Sequence, residues 1–341
     1  MMGETLYTRS DLRQRQSLPL KAKILIAKDR IHQFVDRYGT DGVYVSFSGG
    51  KDSTVLLDLV RNECGYKDVP AMFVDTPTQL PELKQFVKTF ENVDIVAPNM
   101  SMAQVCSEYG LPLISKEVAQ SIYEAYIYKD QKAGARPLAK LMGTGDYAGT
   151  SMYSQTRWKF MLDAPFMVSD RCCRVNKKSP ARKYESKTKR KGILGTMAEE
   201  SVLRASTWQK VGCNSFNSKH PNSKPLSIWM EQDILEYIYD KQLPICSLYG
   251  KVEMVGDEQL SMFDDVRTRF FRTTGAKRTG CAICGFGCHL EKGEESRFVQ
   301  LKRDHPKFYN LLDVFQNNGY TMRQAIEWMM ENSDGKYHVD L

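Results

Sequence analysis

The chain has 341 residues, 42% apolar and 26% charged, the balance of a globular protein rather than of a disordered, collagen-like or coiled-coil chain. Forty-eight lysines and arginines against 41 acids leave a net charge of +7, a bias toward nucleotides, nucleic acid or phosphorylated metabolites. No run approaches the ~18 apolar residues of a membrane span. The N-terminal MMGETLYTRSDLRQRQ lacks an apolar run ahead of a small-residue cleavage site, so a cytoplasmic location without membrane contact is expected.

Leu18 to Tyr38 predicts an amphipathic helix, with Ile24, Ala27, Ile31, Phe34 and Val35 at helical spacing. Val43 to Phe47 is a short β-branched and aromatic run that predicts a buried strand. Thr54 to Glu63 predicts a helix, Val69 to Val74 a second strand, Pro81 to Phe90 a helix, and Val93 to Ala97 a third strand. This alternation predicts βαβ units and a doubly wound, mostly parallel sheet. Lys129 to Lys159 reads as a surface loop or partly helical insertion. Arg171 to Lys191 carries ten basic residues against the single acid Glu185. Lys191 to Thr196 predicts a later strand, Ile228 to Tyr239 a helix, residues 250 to 279 a polar excursion, and Pro306 to Asn332 a helix broken near Gly319.

The strongest local signal is SFSGGKDS, Ser46 to Ser53, between a predicted strand and a predicted helix. Gly49 and Gly50 permit a tight turn that brings amides close to an anion. The following helix points its positive end to the same place. Ser48 and Ser53 offer hydroxyl donors and Lys51 a cation, while Asp52 either caps the helix or holds a magnesium ion. The Walker pattern GxxxxGK[ST] is absent.

Nine cysteines, an odd number without a secretory signal, argue against a disulfide framework. Cys64 and Cys106 read as small buried apolar residues. Cys172-Cys173 is followed, after 107 residues, by Cys281-x2-Cys284-x3-Cys288. Thiolates at this density suit an iron–sulfur cluster or zinc.

SGGKDS resembles the pyrophosphate-binding loop of the adenine nucleotide α-hydrolase-like group, which includes sulfonucleotide reductases, ATP sulfurylase small subunits and tRNA thiolation enzymes. Within that group the chain resembles the phosphoadenosine phosphosulfate (PAPS) reductases. Phe73 to Glu82 (FVDTPTQLPE) is similar to their DTGxxFPET segment, with Pro77 in place of glycine. Gly195 to Arg204 (GTMAEESVLR) is similar to GxRxxxSxxR, with Met197 in place of arginine. Trp229, Asp233, Pro244 and Tyr249 carry the stretch that precedes the reductases' CxxC.

The resemblance implies an α/β, Rossmann-like fold in three consecutive parts. These are an N-terminal helical segment (1–40), a nucleotide-binding domain (41–245, with the insertion at about 129–160) and a C-terminal cysteine-bearing helical region (246–341). It implies that Ser46, Phe47, Ser48, Gly49, Gly50, Lys51, Asp52, Ser53, Asp75, Thr76, Gly195 and Arg204 bind an adenosine nucleotide: PAPS, adenylyl sulfate (APS) or ATP. It implies a [4Fe-4S] cluster on Cys172, Cys173, Cys281 and Cys284, with Zn2+ as the alternative, and a homo-oligomer.

In the reductases a tail cysteine in an ECGLH-like segment attacks sulfur, and a thioredoxin-like reductant completes the cycle. This sequence has no cysteine after Cys288, so Cys288 would have to serve as the nucleophile, its pKa lowered by nearby cations, with Lys51 as the second catalytic residue, or the chemistry differs. The alternative enzyme is an ATP-dependent sulfurtransferase that thiolates DNA or tRNA with a separate sulfur donor. The basic run and Tyr147, Tyr153, Arg157 and Trp158 would then meet nucleic acid. The non-enzymatic alternative is a zinc-stapled nucleotide-sensing or nucleic-acid-binding module.

Overall fold

The computed structural model describes residues 5–149, 153–255 and 269–341. The chain divides into two compact units, each interleaved from three segments. The first comprises Met1–Asp75, Pro81–Val96 and Ala181–Thr279; the second comprises Thr76–Leu80, Ala97–Pro180 and Gly280–Leu341. The sequence had suggested consecutive blocks. Interleaving arises because parallel strands need long crossovers, and the chain between the third and fourth large strands builds most of the second unit.

The first unit is an α/β layer structure around a six-stranded sheet. Its order is Val93–Val96, Ala71–Val74, Val43–Ser46, Lys191–Leu194, Asn222–Ser223, Asn214–Ser215. All pairings are parallel except that of the last two short strands. The strand Val43–Ser46 is central. Val43 and Val45 face a core with Ala27, Ile31, Phe34, Val55 and Leu56, while Tyr44 faces Met72 and Tyr184. Both faces are therefore covered, which is why this strand reads as an unbroken apolar run. The helix Leu20–Tyr38 buries Ala27, Ile31, Phe34 and Val35 and stops at Gly39, whose φ is +76°. The helix predicted from Thr54 begins three residues earlier, at Lys51, and closes in a π turn over Leu59–Glu63.

Polar anchors fix the helix Glu231–Lys241 to this core. Asp233 is wholly buried, receives Lys23 Nζ at 2.6 Å, and caps its own helix by accepting the Met230 amide at 2.6 Å. Tyr237 Oη donates to Asp58 at 2.7 Å.

The second unit is mainly helical. Its core joins Leu113, Ile122, Trp158, Ile283, Cys288, Phe298 and Met322. Leu113–Ile114 pairs in parallel with Gly285–Phe286, and Gly287 donates its amide to the Ile114 carbonyl at 2.7 Å. Ile114 has φ +71° although it is β-branched and fully buried, a strained conformation that surrounding packing must hold.

Two expectations are refined here. The insertion is substantially helical over Lys132–Met142; its residues 150–152 lie outside the described residues. The predicted helix Pro306–Asn332 is two helices, Pro306–Tyr309 and Met322–Asn332, separated by a hairpin that pairs Gln316–Asn317 with Tyr320–Thr321. In the excursion at 250–279, Val252–Val255 pairs with Phe270–Thr273, and residues 256–268 lie outside the described residues. Among the described residues no helix is long and apolar enough to cross a membrane.

The Lys23–Asp233 pair gives a stability test. Lys23→Ala leaves a buried carboxylate without its ammonium, and the expected loss is about 3–5 kcal/mol in urea denaturation. A loss below about 1 kcal/mol would show that the pair behaves like a surface bridge.

Candidate functional site

The loop Phe47–Gly50 leaves the carboxyl end of the central strand and enters the helix Lys51–Asp58. This strand is the topological switch point: its sheet neighbours are Ala71–Val74 on one side and Lys191–Leu194 on the other. Ligand crevices of open parallel sheets form at this place. Gly49 has φ +74°, and a Cβ there would stand 2.8 Å from Val87 Cγ2 and 3.2 Å from Leu83 Cγ. Any side chain would therefore strain the backbone and collide with the Pro81–Val87 helix. Gly195, just past the adjacent strand, lets that strand approach the loop; its Cβ would lie 3.2 Å from the Asp52 carbonyl.

Hydroxyls pre-shape the turn. Ser48 donates its amide to Ser53 Oγ at 3.1 Å, the two hydroxyls lie 3.0 Å apart, and Ser53 Oγ donates to the Gly50 carbonyl at 2.9 Å. Lys51 turns inward and is 4% exposed. Its ammonium donates to Glu231 Oε1 at 2.7 Å and to the Lys277 carbonyl at 2.6 Å, and lies 5.6 Å from the Tyr249 ring centroid. Tyr249 Oη and Thr279 Oγ1 are 2.6 Å apart.

Asp52 is the electrostatic exception. Burial pushes its carboxyl up to about 6; Lys51 opposes this, Glu200 and Glu231 reinforce it, and Arg278 opposes it. Its Oδ1 has no hydrogen-bond partner. Arg204 is ion-paired with Glu200, and Lys84 reaches Asp75 at 2.5 Å. The structure sets Gly195 against the loop, while Arg204 is exposed and ion-paired with Glu200, whose charge acts on Asp52. Thr76 belongs to the second unit, where its amide donates to Gln79 Oε1 at 3.1 Å. Sequence reasoning missed Glu200, Glu231, Lys277, Arg278 and Thr279, and read Tyr249 only as part of a motif.

In the second unit, Cys172 and Cys173 lie on the short helix Arg171–Cys173, and Cys281 and Cys284 lie on the turn into Gly285–Phe286. The Cys172 thiol hydrogen-bonds Cys173; that bond is the main reason the Cys173 thiol falls to about 6, against burial and with help from Lys116 and Lys177. The same bond, then burial and the charges of Cys173, Cys284 and Cys281, raise Cys172. Lys177 hydrogen-bonds Cys281 and feels Cys173 and Cys284 as charges. The four thiols and one ammonium therefore form a single electrostatic group. Among the described residues, no set of three or more His, Cys, Asp or Glu closes into a metal-binding arrangement.

Cys288 differs from its expected role. It is fully buried, donates to the Gly285 carbonyl at 3.0 Å, and lies 3.6 Å from Tyr337 Oη. Burial pushes its thiol up to about 11, the opposite of what a nucleophilic thiol requires. Trp158 also departs from expectation. It is buried against His289 and Tyr337 and so presents no open face for a base.

This geometry can be set beside known proteins. Residues 42–131 and 139–285 match the phosphoadenosine phosphosulfate reductase domain. The chain belongs to that family. The matched residues include the loop, Gly195, Arg204 and all four of Cys172, Cys173, Cys281 and Cys284; they end before Cys288. Among curated proteins, the chain is 25% identical over 264 residues to sulfate adenylyltransferase subunit 2 of Colwellia psychrerythraea, covering 69% of this chain and 75% of that one. It is 27% identical over 253 residues to the same subunit of Ectopseudomonas mendocina, covering 70% of each. A crystal structure of phosphoadenylyl-sulfate reductase from Candida auris, a phosphate complex, matches at 14% identity and a TM-score of 0.36, covering 72% of this chain and 93% of that one.

The raised Asp52 carboxyl predicts a pH-dependent stability effect. The folded state holds the proton more tightly than the unfolded one, so Asp52 costs stability as pH rises from its ordinary value through about 6. Asp52→Asn is expected to stabilise the protein by roughly 1–3 kcal/mol near pH 7.5 and by little near pH 4. Urea melts at both pH values check this; an equal effect at both contradicts the assignment.

Proposed function

We propose that this PAPS-reductase-family protein binds the phosphoryl tail of an adenosine nucleotide on the Ser46–Ser53 loop and performs sulfur chemistry on or with that nucleotide. The observation that carries the reading is Lys51. Its ammonium is buried beside a positive-φ glycine at the amino end of a helix, at the switch point of a parallel sheet. Lys51 supplies a cation, the Gly49–Lys51 backbone and helix end supply dipoles, and Ser48 and Ser53 supply hydroxyl donors. These groups stabilise negative charge that builds on the phosphoryl oxygens as the bond to the leaving group breaks. Arg204, with Glu200 as its partner, adds a second cation.

Cys172, Cys173, Cys281 and Cys284 have the donor chemistry of a soft metal centre, and their mutual charge coupling fits one. They would hold the [4Fe-4S] cluster, or alternatively Zn2+. The cluster would supply redox or electrostatic chemistry, whereas zinc would supply folding energy. Lys116 and Lys177 balance the thiolate charge.

A second reading is ATP-dependent adenylyl transfer, either ahead of sulfur insertion into DNA or tRNA or to sulfate, the reaction in the name of the sulfate adenylyltransferase subunit 2 relatives. Asp52, Glu200 and Glu231 favour it, because three carboxylates facing one phosphate loop suit a nucleotide that arrives with magnesium. The cytoplasmic location, the homo-oligomer, and a thioredoxin-like reductant or sulfur donor belong to the proposal as well.

Lys51→Ala is expected to weaken adenosine-nucleotide binding about 10- to 100-fold, the worth of a charge-assisted hydrogen bond, with unchanged circular dichroism. Equal affinity in calorimetry contradicts the loop reading. Incubation with ATP, APS or PAPS, reading pyrophosphate against sulfite, separates the two chemistries. Anaerobic purification with iron, sulfide and zinc analysis should give iron and sulfide in equal amounts, lost in Cys172→Ser. Metal-free protein in wild type would contradict the thiol assignment.

A further inference from the structure

Lys51 is not a waiting cation: its partners are already in place. Of the two oxygens it holds, the Lys277 carbonyl is fixed by its backbone. Gly275 donates its amide to Tyr249 at 3.0 Å, Ala276 donates to Leu248 at 2.8 Å, and Thr279 is tied to the Tyr249 hydroxyl. Glu231 is different. Its side chain is 42% exposed while that of Lys51 is 5% exposed. Glu231 sits at the first turn of its helix, with its amide held by Glu199 Oε2 at 2.8 Å. The helix itself is fixed by Asp233 and Lys23. A backbone fixed at both turns therefore carries a half-exposed carboxylate that ends on the loop's cation.

The carboxylate also has somewhere to go. Glu231, Glu199, Lys23 and Arg269 are among the walls of a 440 Å³ cavity. An exchange is thus open within the first unit: Glu231 leaves Lys51 for the cavity and solvent, and a phosphoryl oxygen takes its place on the ammonium.

We propose that Glu231 is a specificity-determining latch on the phosphate loop, a carboxylate that an incoming phosphoryl group must displace from Lys51. This rests on the nucleotide reading of the loop. Competition for one buried ammonium sets a threshold. A polyphosphate tail, with several oxygens to place on the loop amides as well as on Lys51, crosses it. A single oxyanion that offers only the exchange at Lys51 gains little. The latch also keeps the buried ammonium neutralised when no nucleotide is bound, which removes the cost of an unpaired charge.

Isothermal titration of wild type, Glu231→Gln and Glu231→Asp with ATP, and separately with inorganic pyrophosphate, tests this. Glu231→Gln keeps the shape and removes the competing charge; ATP and pyrophosphate should bind at least about tenfold more tightly. Glu231→Asp keeps the charge but shortens the reach by one methylene, so it should also bind more tightly than wild type. If wild type binds ATP and Glu231→Gln binds no better, the latch is overturned and the loop reading survives. If Glu231→Gln tightens binding but Glu231→Asp does not, the effect is diffuse charge and the displacement contact is overturned. If neither wild type nor Glu231→Gln binds either probe, both latch and loop reading fall. Binding by Glu231→Gln alone supports both.

Discussion

The first unit turns on a single conformational demand at Gly49. The chain must leave the central strand, reverse with positive φ, and start a helix while pressed against Leu83 and Val87. That geometry carries Lys51 inside. A buried ammonium must then be paired, because desolvation without partners costs several kcal/mol. Glu231 and the Lys277 carbonyl meet the demand from elements 180 and 226 residues away in sequence. Their own placement depends in turn on Asp233, Lys23 and the Tyr249–Thr279 contact. The loop is therefore less a flexible cradle than the centre around which a helix and a strap of chain are arranged.

The same accounting of charge explains the carboxylates around it. The Asp52 carboxyl is held above the usual carboxylate range because burial, with Glu200 and Glu231, outweighs Lys51 and Arg278. Arg204, which is exposed, is ion-paired with Glu200. In the second unit, thiols replace carboxylates as the anions and Lys177 replaces Lys51 as the cation. Each unit thus gathers buried or half-buried charge around one lysine: carboxylates about Lys51 in one, thiols about Lys177 in the other.

Much of the first unit was readable in the sequence because its signals are local. Val43–Ser46, Ala71–Val74 and Val93–Val96 are short apolar runs, and each lies within a predicted strand. Asn214–Ser215 and Asn222–Ser223 were invisible, because polar two-residue strands carry neither apolar period nor β-branching. The loop announced itself through glycine spacing. Its partner Glu231 did not, since nothing within the segment WMEQD marks which acid faces a lysine far away in the chain. Cys288 misled for a related reason. Its nearness to CxxC is a fact of sequence, while its burial against Tyr337 and the Gly285 carbonyl is a fact of packing. Trp158 read as an aromatic in a basic stretch, and only the fold shows it closed in by His289 and Tyr337.

The most direct test of the central claim is a crystal structure of the protein soaked with an adenosine nucleotide. The account predicts the phosphoryl tail on the Gly49–Lys51 backbone, with Lys51 Nζ on a phosphoryl oxygen. A nucleotide bound elsewhere, with the loop closed on itself and Lys51 untouched by phosphate, would contradict it.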